Sequence, residues 1–236
     1  MNHYTFLQGL FPDPNFQKFV TALAVAAAMI LIGFVLTRRL ATTAGVSAAI
    51  VPQRAASFFG FIELAVEQWV RFQDSILGKE NRKYAPFTAS IFFFILLCNL
   101  IGLVPGIPAA TTTVWVNVGM AFVVFFYFNI VGIREQGLVT YLKHFAGPMW
   151  QLAWLIFPLE ILSTCLRILT LNLRLYWNVS ADHIVLGVFT DLVPFGIPVL
   201  FYALGAFVAF MQAFIFCLLT MLYIQFASEH EHEEEH

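Results

Sequence analysis

The sequence of 236 residues is 60% hydrophobic and only 11% charged, whereas an ordinary soluble domain carries about 25% charged residues. This composition argues against a soluble protein, and the formal net charge of -2 gives no reason to expect binding to nucleic acid. The three cysteines lie inside apolar runs at irregular spacing, which predicts neither a disulfide framework nor a zinc site.

The first apolar run, 19–36, has no basic region before it, and the basic pair Arg38-Arg39 follows it. A secretory signal peptide instead has a positively charged segment ahead of a shorter apolar core. We therefore expect 19–36 to be a retained membrane span, preceded by an N-terminal segment, 1–18.

The segment 55–78 has the pattern of an amphipathic helix. Glu63, Glu67, Arg71 and Asp74 recur every three or four residues, and aliphatic and aromatic residues fill most positions between them. A helix with one charged stripe can lie in the membrane interface, or it can be buried against other subunits. The two interpretations are compatible, and the sequence does not choose between them.

Three further stretches, 87–105, 114–133 and 198–227, are apolar over the ~20 residues that a helix needs to cross the hydrocarbon. A fifth stretch, 152–189, is apolar but interrupted by polar residues. We expect a single all-α membrane domain with five membrane-embedded helices and one interfacial helix. The predicted helical hairpins cover 87–133 and 152–227.

Lysine and arginine are concentrated in two loops, while the loops 106–113 and 190–197 contain none. The basic residues of the two loops are Arg38, Arg39, Arg54, Arg71, Lys79, Arg82 and Lys83 in one, and Arg134 and Lys143 in the other. Because basic loops stay in the cytoplasm, this alternation predicts an outer N-terminus and a cytoplasmic C-terminus. The pattern favours a bacterial inner membrane.

The C-terminal tail, 228–236, has the sequence SEHEHEEEH. Closely spaced His and Glu could bind a metal ion, but a charged run at a chain end is more typical of a solvated tail. We expect an acidic cytoplasmic tail, and no metal ion or cofactor.

In the fifth stretch the polar residues fall on one side of the helix, because positions seven apart nearly superimpose at about 100° per residue. We call this line of polar and small residues the polar seam. It consists of Glu160, Ser163, Arg167, Thr170, Arg174, Asn178 and Ala181. The opposite side carries Leu162, Leu166, Leu169, Leu173 and Trp177, interrupted by Asn172. Asp182 lies about 80° from the seam, and His183 roughly opposite it.

Arg174 is the residue of the polar seam that most requires a functional explanation. Arginine stays protonated at any accessible pH, and its place in the middle of a membrane helix costs about 2.5–3.5 kcal/mol. Small polar residues in a seam commonly join helices by hydrogen bonds, but a purely structural seam does not need this charge. We interpret Arg174 as part of an ion path. Glu160 and Arg167 could instead pair with each other or with a partner chain.

The last stretch carries Gln212 among small residues, with Thr220 and Tyr223 further along the chain. The small residues Gly205, Ala206 and Ala209 permit close approach of a neighbouring helix. A single glutamine in a membrane helix more often forms an interhelical hydrogen bond than a functional contact. Both roles stay open on this pattern alone.

Four passages resemble the F-type ATP synthase subunit a family. They are CNLIGLVPG at 98–106, FPLEILSTCLRILTLNLRL, the adjoining LTLNLRLYWNVSADHIVLGVF, and MQAFIFCLLTMLYI at 211–224. Together they extend from about Pro86 to the end of the chain. The N-terminal third is similar to the family by topology alone.

The resemblance implies a proton-translocating stator subunit that is not an enzyme by itself. Its last two helices would lie long and tilted against a rotating ring of c-subunits, with a b-subunit peripheral stalk and the remaining ATP synthase subunits as further partners. Two aqueous half-channels would lead to the ring carboxylates. Arg174 matches the essential arginine between them, where a fixed cation favours an ionised carboxylate.

The resemblance also assigns the proton path. It implies that Gln212 and Asn178 neighbour Arg174, and that Asp182 and His183 belong to the outer half-channel. The further candidates for the path are Glu160, Arg167, Asn99 and Tyr223.

The chain departs from the family pattern at two places. Tyr176-Trp177 replaces the usual Phe-Gly after the arginine motif, and Gly205 stands where many members carry an ionisable residue. Asp182 could supply that missing group from the neighbouring helix. These departures concern which residues relay the proton, not the role of Arg174.

A stand-alone secondary transporter or channel, with Arg174 as its substrate or ion site, is the alternative function. It is disfavoured because the sequence has no inverted repeats. A purely structural scaffold would not need a charged seam. Purification distinguishes the main alternatives, since a transporter is isolated alone and a stator subunit with its complex.

Overall fold

The computed structural model describes residues 13–42, 58–104, 106–137 and 197–228, together with single positions between 159 and 189. These residues form helices and their connecting turns, and the described part of the chain contains no strand. The long helices are α1 (Pro14–Thr42), α2 (Phe58–Leu77), α3 (Ala85–Gly102), α4 (Val114–Gln136) and α5 (Ile197–Ser228). Two short 3-10 helices, Lys79–Tyr84 and Ala110–Thr112, precede α3 and α4.

Four helices of the described ranges are long and apolar enough to cross a membrane: Pro14–Val35, Lys79–Gly102, Val114–Gln136 and Val199–Ala227. They correspond to the four uninterrupted apolar runs of the sequence, so the all-helical membrane class is confirmed. The fifth predicted span falls in the region described only at single positions. The division into five spans and one interfacial helix therefore stays a prediction.

Helices α3, α4 and α5 form the central bundle. Ile95 of α3, Val124 of α4, and Cys217 and Met221 of α5 are buried in one core. Aromatic rings join the same helices: Phe92 lies edge-on to Phe210 with ring centroids 6.0 Å apart. This bundle fixes the position of α5, which carries Gln212.

Helix α1 packs at the side of the bundle. Its Ala22 and Val25 contact Cys98 and Ala110 in a second, smaller core. Much of the remaining surface of α1 is apolar and exposed, for example Ile30, which is 73% exposed. An apolar surface of this kind suits contact with lipid.

Helix α3 ends at Gly102, before the predicted limit of 105. A Cβ atom added at Gly102 would lie 2.5 Å from the Cβ of Ala109, so the returning chain approaches α3 too closely for a side chain there. The turn continues through Gly106, whose positive φ of 93° favours glycine. This tight turn leads into α4.

Helix α2 is amphipathic, as predicted, and packs against its own chain. Trp69, Gln73 and Leu77 are buried, whereas the charged residues Glu63 and Glu67 are exposed. The charged stripe predicted the membrane interface or other subunits as the environment of this helix. The structure adds α3 and α5 as the surface that covers its buried side.

A buried hydrogen-bond network holds α2 in this place. Thr88 of α3 donates to the side-chain oxygen of Gln73, and the Trp69 indole nitrogen donates to the Thr88 hydroxyl at 3.4 Å. Cys217 of α5 donates to the Thr88 carbonyl at 3.1 Å. Thr88 therefore connects three helices.

Ion pairs join the polar ends of the helices. Arg82 donates from Nε to both carboxylate oxygens of Asp74, at 2.9 and 3.1 Å. These hydrogen bonds hold the pKa of the Asp74 carboxyl below its usual range. Glu135 at the end of α4 accepts from Lys83 at 2.5 Å and from the Tyr84 hydroxyl at 3.0 Å. The start of α3 and the end of α4 thus lie together, as a hairpin requires.

Candidate functional site: a buried amide layer and an exposed arginine

Gln212 lies in a buried part of α5. It is only 3% exposed, and the small residues Gly205 and Ala209 are buried on the same helix. Asn99 of α3 donates from its amide nitrogen to the Ala209 carbonyl, at 3.5 Å. Small residues allow such an approach of helix backbones, and the close packing expected around Ala209 is confirmed.

The contacts between the helices determine which residues share a level of the bundle. Phe128 of α4 stacks on Tyr223 of α5 with ring centroids 5.3 Å apart, and Gln136 donates to the Ala227 carbonyl at 3.2 Å. Residue numbers rise together in both pairs, so α4 and α5 run parallel. Because both helices advance about 1.5 Å per residue, Asn117 lies near the level of Gln212.

Helix α3 runs antiparallel to α5, because Thr88 meets Cys217 whereas Asn99 meets Ala209. Asn99 therefore lies within about one helical turn of the level of Gln212 and Asn117. All three amide side chains are at most 3% exposed. We call Asn99, Asn117 and Gln212 the amide layer.

Several oxygens in and near the amide layer have no hydrogen-bond partner. Asn117 donates from its amide nitrogen to the Thr111 carbonyl at 2.8 Å. Its Oδ1, the Oδ1 of Asn99 and the Oγ1 atoms of Thr111 and Thr113 are buried without a partner. An unsatisfied buried polar group costs about 1–3 kcal/mol, and bound water commonly supplies the missing partner.

Arg174 has a different environment. It is helical and exposed, and it forms no ion pair or hydrogen bond with the residues that the structure describes. The apolar side of this stretch is also exposed: its described members Leu162, Leu166, Leu169, Leu173 and Trp177 are between 41% and 64% exposed. Both the guanidinium and the leucine side are thus free to meet lipid, water or another subunit.

The other predicted site residues lie either away from the amide layer or outside the described part of the chain. Tyr223 lies on α5 about three turns from Gln212, so it is not part of the amide layer. Asn178, Asp182, His183, Glu160 and Arg167 lie outside the described residues. The acidic tail, 229–236, lies outside them too. No group of potential metal ligands occurs in the ranges that are described.

Asn117 and Thr111 were not predicted as site residues. The stretch 114–133 was interpreted as a simple apolar span, although Asn117 interrupts it. A polar side chain in a membrane helix usually has a functional or packing role, and this signal could have identified Asn117. Thr111 lies in a loop and carries no such signal.

Comparison with known proteins decides the family. The profile of the ATP synthase A chain family matches residues 19–225. The chain belongs to the ATP synthase A chain family. This confirms the resemblance that the arginine and Gln212 helices carried in the sequence.

Individual members of the ATP synthase A chain family are similar along most of their length. The chain is 45% identical to ATP synthase subunit a of Bdellovibrio bacteriovorus over 185 residues, which are 78% of this chain and 81% of the relative. It is 38% identical to that of Solibacter usitatus over 232 residues, covering 98% and 96%. The identity to that of Helicobacter hepaticus is 36% over 222 residues, covering 94% and 93%.

Membership of the ATP synthase A chain family, together with four membrane-capable helices, makes this chain a multi-pass membrane protein. It is a component of an ATP synthase complex rather than a stand-alone enzyme. The alternative of an independent transporter is therefore set aside.

Proposed function

We propose that this chain is the proton-translocating stator subunit of a rotary F-type ATP synthase. The observation that carries the proposal is Arg174, an exposed arginine on an apolar helical stretch of a family member, without an ion pair among the described residues. A guanidinium that the described residues do not neutralise can attract a carboxylate of another subunit. The ring of c-subunits would supply that carboxylate.

Arg174 would act by electrostatics. A permanent cation near a ring carboxylate lowers the pKa of that carboxylate, because it favours the ionised form. Each carboxylate that reaches Arg174 would therefore release its proton. A proton cannot pass a permanently charged group without cost, so Arg174 would also separate the two aqueous half-channels and make rotation the route across.

The amide layer supports an aqueous path on the side of the 103–113 turn. Its unpartnered oxygens, Oδ1 of Asn99 and Oδ1 of Asn117, would accept hydrogen bonds from internal water. Asp182 and His183 would line the same outer half-channel, and Gln212 and Asn178 would neighbour Arg174. Contact sites for the ring and the b-subunit stalk belong to the same proposal, as do an outer N-terminus and a cytoplasmic C-terminus.

Substitution of Arg174 by alanine tests the proposal. We expect Arg174→Ala to abolish ATP-driven proton pumping, because no fixed charge then ionises the ring carboxylate, while the complex still assembles. Acidification of inverted vesicles measures pumping, and co-purification of the other subunits measures assembly. Thr170→Ala, one turn away and also exposed, is the control and should pump normally. Normal acidification by Arg174→Ala would refute the proposed role.

A further inference from the structure

A groove lies between the N-terminal ends of α1 and α4. Its volume is about 470 Å³. Its walls include Asp13, which precedes α1, with Phe16 and Phe19 of α1, and Thr113, which precedes α4, with Trp115 and Val116 of α4. None of these residues takes part in the amide layer or the polar seam. The groove therefore needs an explanation of its own.

The groove lies where the two helices enter their apolar spans. The membrane-capable part of α1 begins at Pro14 and that of α4 at Val114. Phe16, Phe19 and Trp115 are 48%, 55% and 81% exposed there. Tryptophan is enriched at the level where lipid headgroups meet the hydrocarbon, so Trp115 places a phospholipid headgroup beside the groove.

The charges of the groove favour a cationic group in the ligand. Asp13 is a carboxylate, and the described lining contains no lysine, arginine or histidine. The ring faces of Phe16, Phe19 and Trp115 also attract cations. A headgroup that carries an ammonium is therefore better matched than one that carries only negative charge.

The opposite wall offers donors for a phosphate. Thr113 is 7% exposed, lines the groove, and its hydroxyl oxygen has no hydrogen-bond partner. It is the N-cap residue of α4 and makes no capping hydrogen bond. The first backbone N–H groups of a helix lack partners within the helix, and the helix dipole adds positive potential there.

We propose that this groove binds the headgroup of a zwitterionic phospholipid with a primary ammonium, of the phosphatidylethanolamine type. The ammonium would bind the Asp13 carboxylate and the aromatic faces, and the phosphate would accept from the Thr113 hydroxyl and the start of α4. An acyl chain would follow Phe19 and the exposed Leu23 into the bilayer. This inference does not depend on the proposed proton path.

Photo-cross-linking of two lipid probes tests the proposed headgroup site. The assembled complex with the full chain is reconstituted with equal amounts of ethanolamine and glycerol phospholipids, each with a photoactivatable group near the glycerol backbone. Cross-linked peptides are then quantified by mass spectrometry. We expect the ethanolamine probe to label peptides containing Phe16 or Trp115 more than the glycerol probe does.

Three variants distinguish the contacts. Asp13→Asn, which keeps the size of the side chain, should lower the ethanolamine yield roughly three-fold and leave the glycerol yield unchanged. Thr113→Val should lower both yields equally, because both probes carry the phosphate. Glu63→Gln, on the exposed side of α2, should change neither. Equal yields for the two probes on the unmodified chain, or an unchanged ethanolamine yield with Asp13→Asn, would overturn the proposal.

Discussion

At the scale of residues, a permanent charge separates Arg174 from the amide layer. The amide layer of Asn99, Asn117 and Gln212 can bind water, but its members carry no charge at any pH. Arg174 keeps its charge even where desolvation would neutralise a lysine. In the proposed function, the amides therefore bind the water of the aqueous path. Arg174 prevents protons from passing directly between the two half-channels.

We expect Arg174→Lys to pump little or not at all. Lysine keeps a nominal charge, but its pKa falls readily when it is desolvated, and it lacks the planar fork that binds a carboxylate by two hydrogen bonds. Proton pumping by inverted vesicles measures the effect at equal amounts of assembled complex. Near-normal coupling in this variant would mean that charge alone suffices and that the geometry of the guanidinium is irrelevant.

Asp182 and His183 should act as a pair in the outer half-channel. Both are titratable, both follow Arg174 by about two turns, and Gly205 leaves α5 without an ionisable group at its position. Asp182→Asn and His183→Ala should each reduce pumping in part, and the double variant should lose much less than the sum, because coupled groups are not additive. Full activity of both single variants, or additive losses, would place the relay elsewhere.

At the scale of elements, the attachment of α2 determines how the amphipathic helix behaves. An amphipathic helix held only by lipid can shift along the membrane surface. Here the hydrogen bonds from Thr88 to Gln73 and from Trp69 to Thr88 are buried, and the Trp69 ring stacks on Phe92 with centroids 4.1 Å apart. The helix is therefore part of the bundle and supports α3 beside α5.

Removal of the Thr88 hydroxyl should loosen α2. Thr88→Val leaves the Gln73 oxygen and the Trp69 nitrogen without this partner, which costs about 1–3 kcal/mol for a buried group. We expect a lower melting temperature and faster hydrogen exchange in α2. The control is Ser90→Ala on the exposed side of α3, where the hydroxyl only bonds the Pro86 carbonyl; its effect should stay within about 0.5 kcal/mol. Unchanged exchange in Thr88→Val would contradict the attachment.

At the scale of the whole molecule, the hairpin of α3 and α4 separates two polar ends. The Lys83–Glu135 ion pair joins the start of α3 to the end of α4, so the turn 103–113 lies at the other end of the bundle. The basic residues near Lys79 predict that their end faces the cytoplasm. The turn, which contains no lysine or arginine, would then face outward.

Cysteine labelling tests this orientation. With the native cysteines replaced, a cysteine at Thr112 should react with an impermeant reagent from the outside, and one at Lys79 or Glu233 only from the cytoplasmic side. The reason is the strong asymmetry of basic residues between the two ends. Intact and inverted vesicles expose opposite sides of the membrane to the reagent. If the cysteines at Thr112 and Lys79 are both labelled in the same one of these two preparations, the proposed topology is excluded.

The sequence by itself determined the membrane class, the positions of the four uninterrupted helices along the chain and the family. These follow from local properties, because ~20 consecutive apolar residues are enough to favour a spanning helix, and because the motifs around Arg174 and Gln212 are contiguous. The charged side of α2 was predicted for the same reason, since Glu63 and Glu67 repeat with the helical period.

Only the tertiary structure decided which polar residues share a level and which surface covers α2. Asn117 and Gln212 are far apart in the sequence, and they lie near one level because α4 and α5 pack in parallel with a fixed register. Register depends on side-chain packing over the whole bundle, not on the pattern of one helix. For the same reason the burial of Gln73 against Thr88 was not foreseen: it requires α2 to return onto α3.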